Sequence, residues 1–483
     1  MVLKQTASRN LKEINYPQAP MVSLPDMLLF SSKQLHLALN QLAKKYGNIF
    51  QMRVGARSFL VLNGVETLKE ALVKQQDAFN AKADFNVFQL KPQVDFLELK
   101  NGECWKKHHD IVMQVMQAFW SGKSELHESW VTEEADKLTS VLLGYRGQPI
   151  EIGNHVSVAT LSFMQRLVFD KEGSTEDADL VETATALRTI PNGLLTGIIL
   201  DVIPRFWQPI FGLLNQNTLK RFVGSLEKMD NYLSENIEQH RESFDPQNMR
   251  TITDGLFKIS SELTESDRNN FQLSDVIPGT LFQMMAAGTQ LPAYVIAWAI
   301  LYMIAYPDIQ AKIHAELDRV IDADRKISFK DRSKLPFTEA CIHEIFRHSS
   351  STAFPPINYA TTTDANLKGY FVPKNTPLIV NYYGLTRDER YWQEPETFKP
   401  DRFLDEDGKL QNNLLDKFYP FGVGSRRCIG EYLGRMEIFL FFTNLLRKSK
   451  FEGVAGDLLS FEADLPGPFI SPKEYRVIVK PRD

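Results

Sequence analysis

One stretch of the chain restricts its fold more than any other, because residues 276–307 contain no charged side chain. Within it, residues 291–306 are apolar apart from their tyrosine hydroxyl groups. On length alone this stretch fits a transmembrane helix. Thr289, Gln290 and Pro292 interrupt it with polar groups and a kink, and an uncharged helix is equally typical of one buried on all sides in a large core. Composition leaves both interpretations open.

The rest of the pattern is mostly helical with a minor sheet. Alternating apolar residues in segment 48–64 predict two short strands around a Gly-Ala-Arg turn, and most of the chain from there to about residue 345 has helical periodicity. Segment 368–384 predicts a second strand region, in which Pro373 and Pro377 are expected at turns and edges. The predicted fold class is therefore mainly α with a minor β region.

The chain is expected to form one large domain. With 483 residues and 43% hydrophobic residues it can bury a large core, and no Pro/Gly/Ser-rich or charge-dense linker interrupts it after about residue 45. We place this domain at 21–483. The preceding segment, 1–20, has no apolar run long enough for a signal-peptide core or a membrane anchor, so we expect it to lack an anchor helix.

Charge and cysteine content exclude some functions. The 55 Lys and Arg residues against 60 Asp and Glu residues give a formal charge of −5, so composition indicates no nucleic-acid partner. Cys104, Cys341 and Cys428 form no CxxC pair and are too few for a disulfide framework, which favours a reducing compartment or the cytosolic side of a membrane. Cys104 and Cys341 are each best interpreted as a small buried hydrophobe.

The surroundings of Cys428 are different, because it lies in the glycine-rich segment 421–430, FGVGSRRCIG. Its three glycines allow a tight loop that can approach a bulky flat group, and a helical pattern from Gly430 places N–H groups beside the sulfur. Those groups, with Arg426 and Arg427, favour thiolate over thiol. A thiolate with no second ligand at metal-binding spacing suits a cofactor that brings most of its own ligands, and haem iron is the obvious candidate.

This loop resembles the haem-binding signature of the cytochrome P-450 family, F-x-x-G-x-R-x-C-x-G. The chain matches every fixed position of that signature, with Phe421, Gly424, Arg426, Cys428 and Gly430. The resemblance covers nearly the whole chain and is closest to animal microsomal members. It implies the cytochrome P-450 fold, with haem b buried between a long central helix and the cysteine-loop helix, and with Cys428 as the axial iron ligand.

Three other landmarks strengthen the resemblance. Segment EIFR resembles the family's E-x-x-R helix, with Glu344 and Arg347 three apart on one face. Segment FKPDRF resembles the family's P-x-R-F segment, whose Arg402 completes a structural network with that pair. Segment NGECWKKHH resembles the helix whose tryptophan, here Trp105, meets a haem propionate. The family fold also identifies residues 276–307 as the central helix across the haem.

The resemblance further implies a cellular setting. It assigns residues 192–214 to a loop region that dips into the bilayer surface, against the plainer interpretation of a core helix followed by a loop. It implies the cytosolic face of the endoplasmic reticulum membrane, with a mitochondrial location left open, and a role in lipid metabolism. Electrons would come from NADPH-cytochrome reductase, with cytochrome b5 as a further donor, through a basic face that includes Lys417, Arg427 and Arg435.

The central helix departs from the family pattern A-G-x-(D/E)-T, an acid and an alcohol that carry protons. Alignment on Gly288 puts Gln290 where the acid belongs and Leu291 where the threonine belongs. Neither side chain relays a proton in the usual way, because an amide does not titrate near neutrality and leucine has no polar atom. Thr289 lies one position early, about 100° around the helix, and can substitute only if Pro292 locally unwinds the turn.

Two haem-anchoring positions also differ from the family. His109 lies where the tryptophan helix usually carries a propionate-binding arginine, and Tyr359 lies where histidine or arginine is expected. Both side chains can still donate a hydrogen bond. We therefore expect altered anchoring of the haem rather than its loss.

The sequence supports three functional hypotheses. The first is a monooxygenase that oxidises a lipophilic substrate, such as a sterol, fatty acid derivative or xenobiotic, with dioxygen and reductase-supplied electrons. The alternative is a dioxygen-independent isomerase, lyase or dehydratase acting on a hydroperoxide, endoperoxide or aldoxime, because such reactions need no proton relay. The third, a non-catalytic haem or sterol-binding protein, is disfavoured by the intact cysteine motif.

Overall fold

The computed structural model describes residues 17–27, 29, 34–55, 57–89, 96–120, 124–174, 177–263, 273–355, 359–464 and 469–482. Most of the predicted N-terminal segment, 1–20, lies outside the described residues. The helices, in chain order, are α1 (Leu24–Met27), α2 (Leu35–Tyr46), α3 (Val65–Lys69), α4 (Gln76–Phe79), α5 (Gly102–Trp120), α6 (Ser124–Gly144), α7 (Gly153–Phe169), α8 (Ala178–Val202), α9 (Gln208–Leu214), α10 (Gln216–Glu242), α11 (Ile252–Glu262), α12 (Leu273–Ala305), α13 (Pro307–Val320), α14 (Pro336–Ser349), α15 (Tyr382–Thr386) and α16 (Glu431–Lys448). The strands are β1 (Ile49–Val54), β2 (Arg57–Leu62), β3 (Ala81–Lys82), β4 (Ile150–Glu151), β5 (Tyr359–Ala360), β6 (Ala365–Leu367), β7 (Tyr370–Val372), β8 (Pro377–Val380), β9 (Ser449–Gly453) and β10 (Arg476–Pro481).

The uncharged stretch forms α12, a single continuous helix in the middle of the molecule. Helices α7, α10, α14 and α16 pack around it, and its second half is almost completely buried, including Trp298 and Tyr302. Among the described residues α12 alone is long and apolar enough to cross a membrane, but 72% of its most apolar window is buried inside the protein. Protein neighbours around most of this helix explain why it carries no charged residue after Asp275.

Helices α12 and α7 approach each other closely at one glycine. A Cβ atom on Gly288 would lie 2.5 Å from the sulfur of Met164, so a larger residue there would push the helices apart. One turn away, the Thr160 hydroxyl donates a hydrogen bond to the Thr289 carbonyl, at 3.1 Å. These contacts fix the rotation of α12 about its own axis, and therefore which of its side chains face the cavity described below.

The predicted strand regions form a five-stranded sheet in the order β1-β2-β8-β5-β3. Strands β1 and β2 are the predicted antiparallel pair, and β8 runs parallel to β2. Pro373 directly follows β7, as expected of a turn residue. The expectation that Pro377 lies at an edge is wrong, because β8 is in the middle of the sheet. Pro377 is the first residue of that strand, a position where proline is tolerated.

Segment 192–214 is not the continuous loop region that was predicted. Its first half completes α8, where Gly197 packs so closely on Val87 that an added Cβ would lie 2.1 Å from it. Its second half forms α9 after a short connection. Leu213 and Leu214 on α9 are 72% and 79% exposed. Only the α9 end of the segment therefore presents large apolar side chains to the solvent.

Candidate active site

The cysteine loop folds as a tight turn directly before α16. The Cys428 amide donates to the Phe421 carbonyl at 2.8 Å, which closes the loop. Gly424 has a φ of +82°, and a Cβ atom there would lie 2.0 Å from the Leu72 carbonyl oxygen, so only glycine fits. A side chain on Gly430, the residue before α16, would contact the sulfur. The backbone path thus favours glycine at Gly422 and requires it at Gly424, whereas a Cβ on Gly430 would only touch the sulfur.

Aromatic packing holds this loop against the core. The Phe421 ring lies edge-on to Phe346 of α14, with ring centroids 5.5 Å apart. On its other side the Arg435 guanidinium lies 4.6 Å from the Phe421 ring centroid. The loop therefore has a fixed position between α14 and α16.

The sulfur of Cys428 is accessible from a cavity, although the residue lies deep in the protein. Burial raises the pKa of its thiol to about 11, against a smaller opposing effect from the backbone N–H of Gly430. Desolvation thus opposes the thiolate form, whereas the loop's backbone N–H group favours it. A bound iron cation supplies the missing charge, since a thiol that coordinates a metal is deprotonated.

The cavity has a volume of about 490 Å³ and extends from the cysteine loop to α12. Most of its walls are apolar. From α12 it is lined by Gly288, Gln290 and Leu291, and from α8 and α10 by side chains such as Leu194 and Phe222. A largely apolar cavity with a few polar groups is typical of a small-molecule site.

One edge of the cavity gathers the predicted cofactor-binding residues from α5 and the loop. The Arg426 guanidinium lies 3.9 Å from the Trp105 ring centroid and donates to the Lys100 carbonyl at 2.6 Å. Its Nη1 atom is buried with no hydrogen-bond partner among the described residues. His109, one turn after Trp105, lines the same edge with its ring centroid 5.1 Å from that of Trp105.

Lys82 is a site residue that the sequence interpretation missed. It is buried in the two-residue strand β3, lines the cavity, and its ammonium lies 4.1 Å from the ring centroid of Tyr359. The Glu98 carboxylate is 3.9 Å away. Burial lowers the pKa of Lys82 to about 8, which still leaves it mainly charged at neutral pH. The available signal was a lysine between apolar residues in segment 81–85.

Tyr359, the other predicted anchor, lies in β5 at the same edge. It is buried and lines the cavity, and its hydroxyl is hydrogen-bonded to Tyr382. Burial raises its pKa, so it remains a neutral donor. The edge thus combines two cations, a tyrosine and a histidine.

The predicted Glu344–Arg347–Arg402 network is formed below the loop. Arg347 makes two hydrogen bonds of 2.7 Å to the Glu344 carboxylate, and Arg402 donates to the same carboxylate at 3.1 Å. Arg347 also donates to the carbonyls of Thr386 and Pro395. Burial lowers the pKa of Arg347, an effect that Glu344 opposes. Every strong donor here has an acceptor, which suits a structural role.

The four predicted distal residues are divided between two faces of α12. Gly288, Gln290 and Leu291 line the cavity, whereas Thr289 does not. The helix continues through Pro292 without unwinding, and the Thr289 hydroxyl is buried outside the cavity lining, without a partner among the described residues. The suggestion that Thr289 replaces the missing alcohol is therefore not supported by its position. Both amide atoms of Gln290 are buried and have no partner among the described residues.

The three basic residues predicted to form a docking face behave differently. Arg427 is exposed. Arg435 is tied to Glu431 by a contact of 2.9 Å and covers the Phe421 ring, and Lys417 lies 5.1 Å from the Tyr391 ring centroid. Of the three, Arg427 is thus the best placed to meet an acidic partner.

These features fit a haem. The Cys428 sulfur faces a mostly apolar cavity, as an axial ligand must. The unpartnered Arg426 N–H and the buried Lys82 suit carboxylates such as the haem propionates, because charge-assisted hydrogen bonds are the strongest ones available to them. Trp105, His109 and Tyr359 complete that edge.

Comparison with known proteins agrees with this geometry. The sequence model of the family described as Cytochrome P450 matches residues 17–478. The chain is 32% identical to the "Polybrominated aromatic compounds synthase" of Pseudoalteromonas luteoviolacea, over 98% of this chain and 97% of that protein. It is 31% identical to "Cytochrome P450 2J2" of Homo sapiens, over 97% of this chain and 92% of that protein. It is also 31% identical to "Cytochrome P450 1A3" of Oncorhynchus mykiss, over 87% of this chain and 82% of that protein.

Proposed function

This chain belongs to the cytochrome P450 family, whose members bind haem through a cysteine thiolate, and from that premise we propose that it is a monooxygenase of a lipophilic substrate. The observation that carries the proposal is the cavity, which reaches from the Cys428 sulfur to α12 between mostly apolar walls. We assign residues 21–483 to one catalytic domain. When bound, haem supplies the reduction of dioxygen, with one oxygen atom entering the substrate and the other leaving as water with two protons.

The residues around the cavity would have three roles, which depend on whether they lie at its edge, in its walls or on α12. Cys428 would bind the iron, while Arg426, Lys82, Trp105 and Tyr359, with His109, would hold the propionates. The apolar walls would bind the substrate and exclude bulk water from it. On α12, Gln290 would hold water by hydrogen bonds, because its amide both donates and accepts.

The proposed substrate is a sterol, a fatty acid derivative or an apolar xenobiotic. Composition of the cavity wall supports an apolar ligand but selects none of these. One relative is named for the synthesis of polybrominated aromatic compounds, so a brominated aromatic compound belongs in the same panel. We propose NADPH-cytochrome reductase and cytochrome b5 as electron donors at the face of Arg427.

We further propose that the protein works at the cytosolic face of the endoplasmic reticulum membrane, touching the bilayer through α9. Replacing both Leu213 and Leu214 with serine should weaken binding to phosphatidylcholine vesicles about tenfold, because two exposed leucines lose their burial in lipid. Leu458, which is 97% exposed outside α9, provides the control, and Leu458→Ser should leave vesicle binding unchanged. Equal binding of all three proteins in a flotation assay would refute the assignment of α9.

A specific observation keeps the dioxygen-independent isomerase, lyase or dehydratase as a second candidate. Gln290 and Leu291 stand at the cavity wall where an acid and an alcohol are usual, and Thr289 does not line the cavity. A reaction on a hydroperoxide, endoperoxide or aldoxime needs no external proton pair, so it tolerates this arrangement.

Turnover in two conditions separates the two candidates. The purified haem protein would be given a lipid extract, either anaerobically without reductant or aerobically with NADPH and the microsomal reductase. The proposal predicts products only in the aerobic arm, heavier by oxygen. Anaerobic products that are isomers of their substrates, or lighter by water, would instead establish the second candidate.

A further inference from the structure

Gln290 carries the one buried polar side chain on the α12 wall of the cavity that has no partner in the described structure. The residue lines the cavity and is 4% exposed. Neither its Oε1 atom nor its Nε2 atom has a hydrogen-bond partner among the described residues. Buried polar groups nearly always have a partner, so an unpaired amide in a cavity wall indicates a partner inside that cavity.

The other polar side chains of α12 that line the cavity already have partners. The Thr280 hydroxyl is hydrogen-bonded to the Nε2 atom of His108 at 2.7 Å. The Oε1 atom of Gln283 accepts from the Glu98 backbone N–H at 3.3 Å. Two glutamines of one helix therefore differ, because Gln283 is tied to the protein whereas the amide of Gln290 is left for a ligand.

The basic side chains of the cavity lie at the cofactor edge or on the cysteine loop. Among the described residues that line it, they are Lys82, His109, Arg426 and Arg427. In the same described set, the walls from α8, α10 and α12 contribute no base, and α10 contributes an acid, Asp230. A carboxylate that leaves water without a cation to pair with loses binding free energy, because its charge is desolvated and uncompensated. These walls therefore suit an uncharged ligand.

A hydroxyl group matches this amide better than other uncharged groups do. The amide of Gln290 offers a donor and an acceptor, and a hydroxyl can pair with either. An ether or a ketone can only accept, so it always leaves the amide oxygen without a donor. A hydroxyl can also replace a water held by the amide while reproducing its hydrogen bonds. Apolar side chains such as Leu194 and Phe222 would bind the rest of the same molecule.

We propose that Gln290 determines substrate specificity by binding the hydroxyl group of an uncharged, lipophilic alcohol. The inference rests on the proposed function, because it names the substrate class of the same cavity. It also selects among the proposed substrates. A sterol fits because it carries a hydroxyl and no charge, whereas a free fatty acid carries a charge that these walls do not compensate. In this role Gln290 orients the substrate and takes part in no bond-making step.

Equilibrium dialysis of the holoenzyme against three matched probes tests the proposal. Undecanol and its isomer decyl methyl ether differ in one hydrogen-bond donor, and undecanoate adds a charge. Undecanol should bind on the order of tenfold more tightly than the ether, because the ether leaves a buried group unpaired, and undecanoate should bind most weakly. Wild-type protein that binds the alcohol and the ether equally, or the carboxylate best, would overturn the proposal without any variant.

Substitution tests whether this preference comes from Gln290. Gln290→Leu should bind the alcohol and the ether with equal affinity, because both amide atoms are removed. Gln283→Leu, which removes a cavity-lining amide that already accepts from Glu98, is the matched control and should keep the wild-type preference. An unchanged preference for undecanol in Gln290→Leu would refute the role of Gln290.

Turnover separates a failure of this inference from a failure of the proposed function. With NADPH and the microsomal reductase, wild-type protein should oxygenate undecanol in preference to the ether, and Gln290→Leu should lose that preference. Reductase-dependent oxygenation without any preference for the alcohol would refute the substrate class alone. Selective binding of undecanol with products only in the anaerobic arm would refute the monooxygenase and leave the binding role of Gln290 supported.

Discussion

The cysteine side and the α12 side of the cavity treat buried polar groups in opposite ways. Around the cysteine loop, Glu344 is paired with both Arg347 and Arg402, and the Cys428 amide has its acceptor. Across the cavity, both amide atoms of Gln290 on α12 are buried without partners in the described structure. The satisfied side therefore acts as a rigid support, whereas the unsatisfied side is where water and substrate are expected.

This contrast separates cofactor binding from proton handling. The cysteine loop matches the family motif at every fixed position, whereas the α12 turn departs from it at Gln290 and Leu291. Changes on the first side should therefore remove or loosen the haem. Changes on the second side should leave the haem bound and change the amount of product formed per NADPH consumed.

The largest expected effect comes from Cys428→Ala, which removes the proposed iron ligand. The reduced carbon monoxide complex should lose its thiolate absorption band completely, because no other cysteine among the described residues lines the cavity. Cys104→Ala, which removes an exposed free thiol, is the control and should keep the band. A thiolate band that survives in Cys428→Ala would refute the assignment.

Next is the structural network, where Arg347→Leu leaves Glu344 buried without its main partner. The free energy of unfolding in urea should fall by about 3–5 kcal/mol. The control is Lys44→Ala, which breaks an exposed pair with Glu389 and should cost about 0–1 kcal/mol. Equal stability losses for the two variants would show that the network does not support the fold.

A smaller effect is expected at the cationic edge. Lys82→Met should weaken haem binding by about 1.5–3 kcal/mol, which is roughly ten- to hundredfold, because a charge-assisted bond to a propionate is lost. Lys82→Arg keeps the charge and should restore most of the affinity. The rate of haem transfer to apomyoglobin measures both, and identical rates for wild type and Lys82→Met would exclude Lys82 from haem binding.

The smallest change concerns the α12 turn, where Gln290→Glu combined with Leu291→Thr rebuilds the usual acid and alcohol. In a monooxygenase this double substitution should raise coupled turnover about tenfold. Thr289→Val should leave coupling unchanged, because its side chain does not line the cavity. No gain from the double change, or a loss in Thr289→Val, would contradict the proposed division of α12.

Much of the cysteine side could be predicted from the sequence because its geometry is local. Gly424 and Cys428 lie four apart in one loop, and Glu344 and Arg347 lie three apart on one helix, so spacing alone places each pair. The strands around residue 55 were equally clear, since alternation continues on both sides of the turn.

The remaining features depend on packing between distant segments, which spacing does not reveal. Thr289 does not line the cavity although Gly288 and Gln290 on either side of it do, and burial raises the pKa of the Cys428 thiol. Lys82 reaches the cofactor edge only because β3 pairs with β5.

Isotopically labelled dioxygen gives the most direct test of the central claim, that this protein oxygenates a lipophilic substrate despite its altered α12 turn. The holoenzyme would be supplied with labelled dioxygen, NADPH, the microsomal reductase and a panel of a sterol, a fatty acid derivative and a brominated aromatic compound. The products would be examined by mass spectrometry. The account predicts one labelled oxygen atom in each product. Products that form at the same rate without dioxygen, and that carry no label, would contradict it.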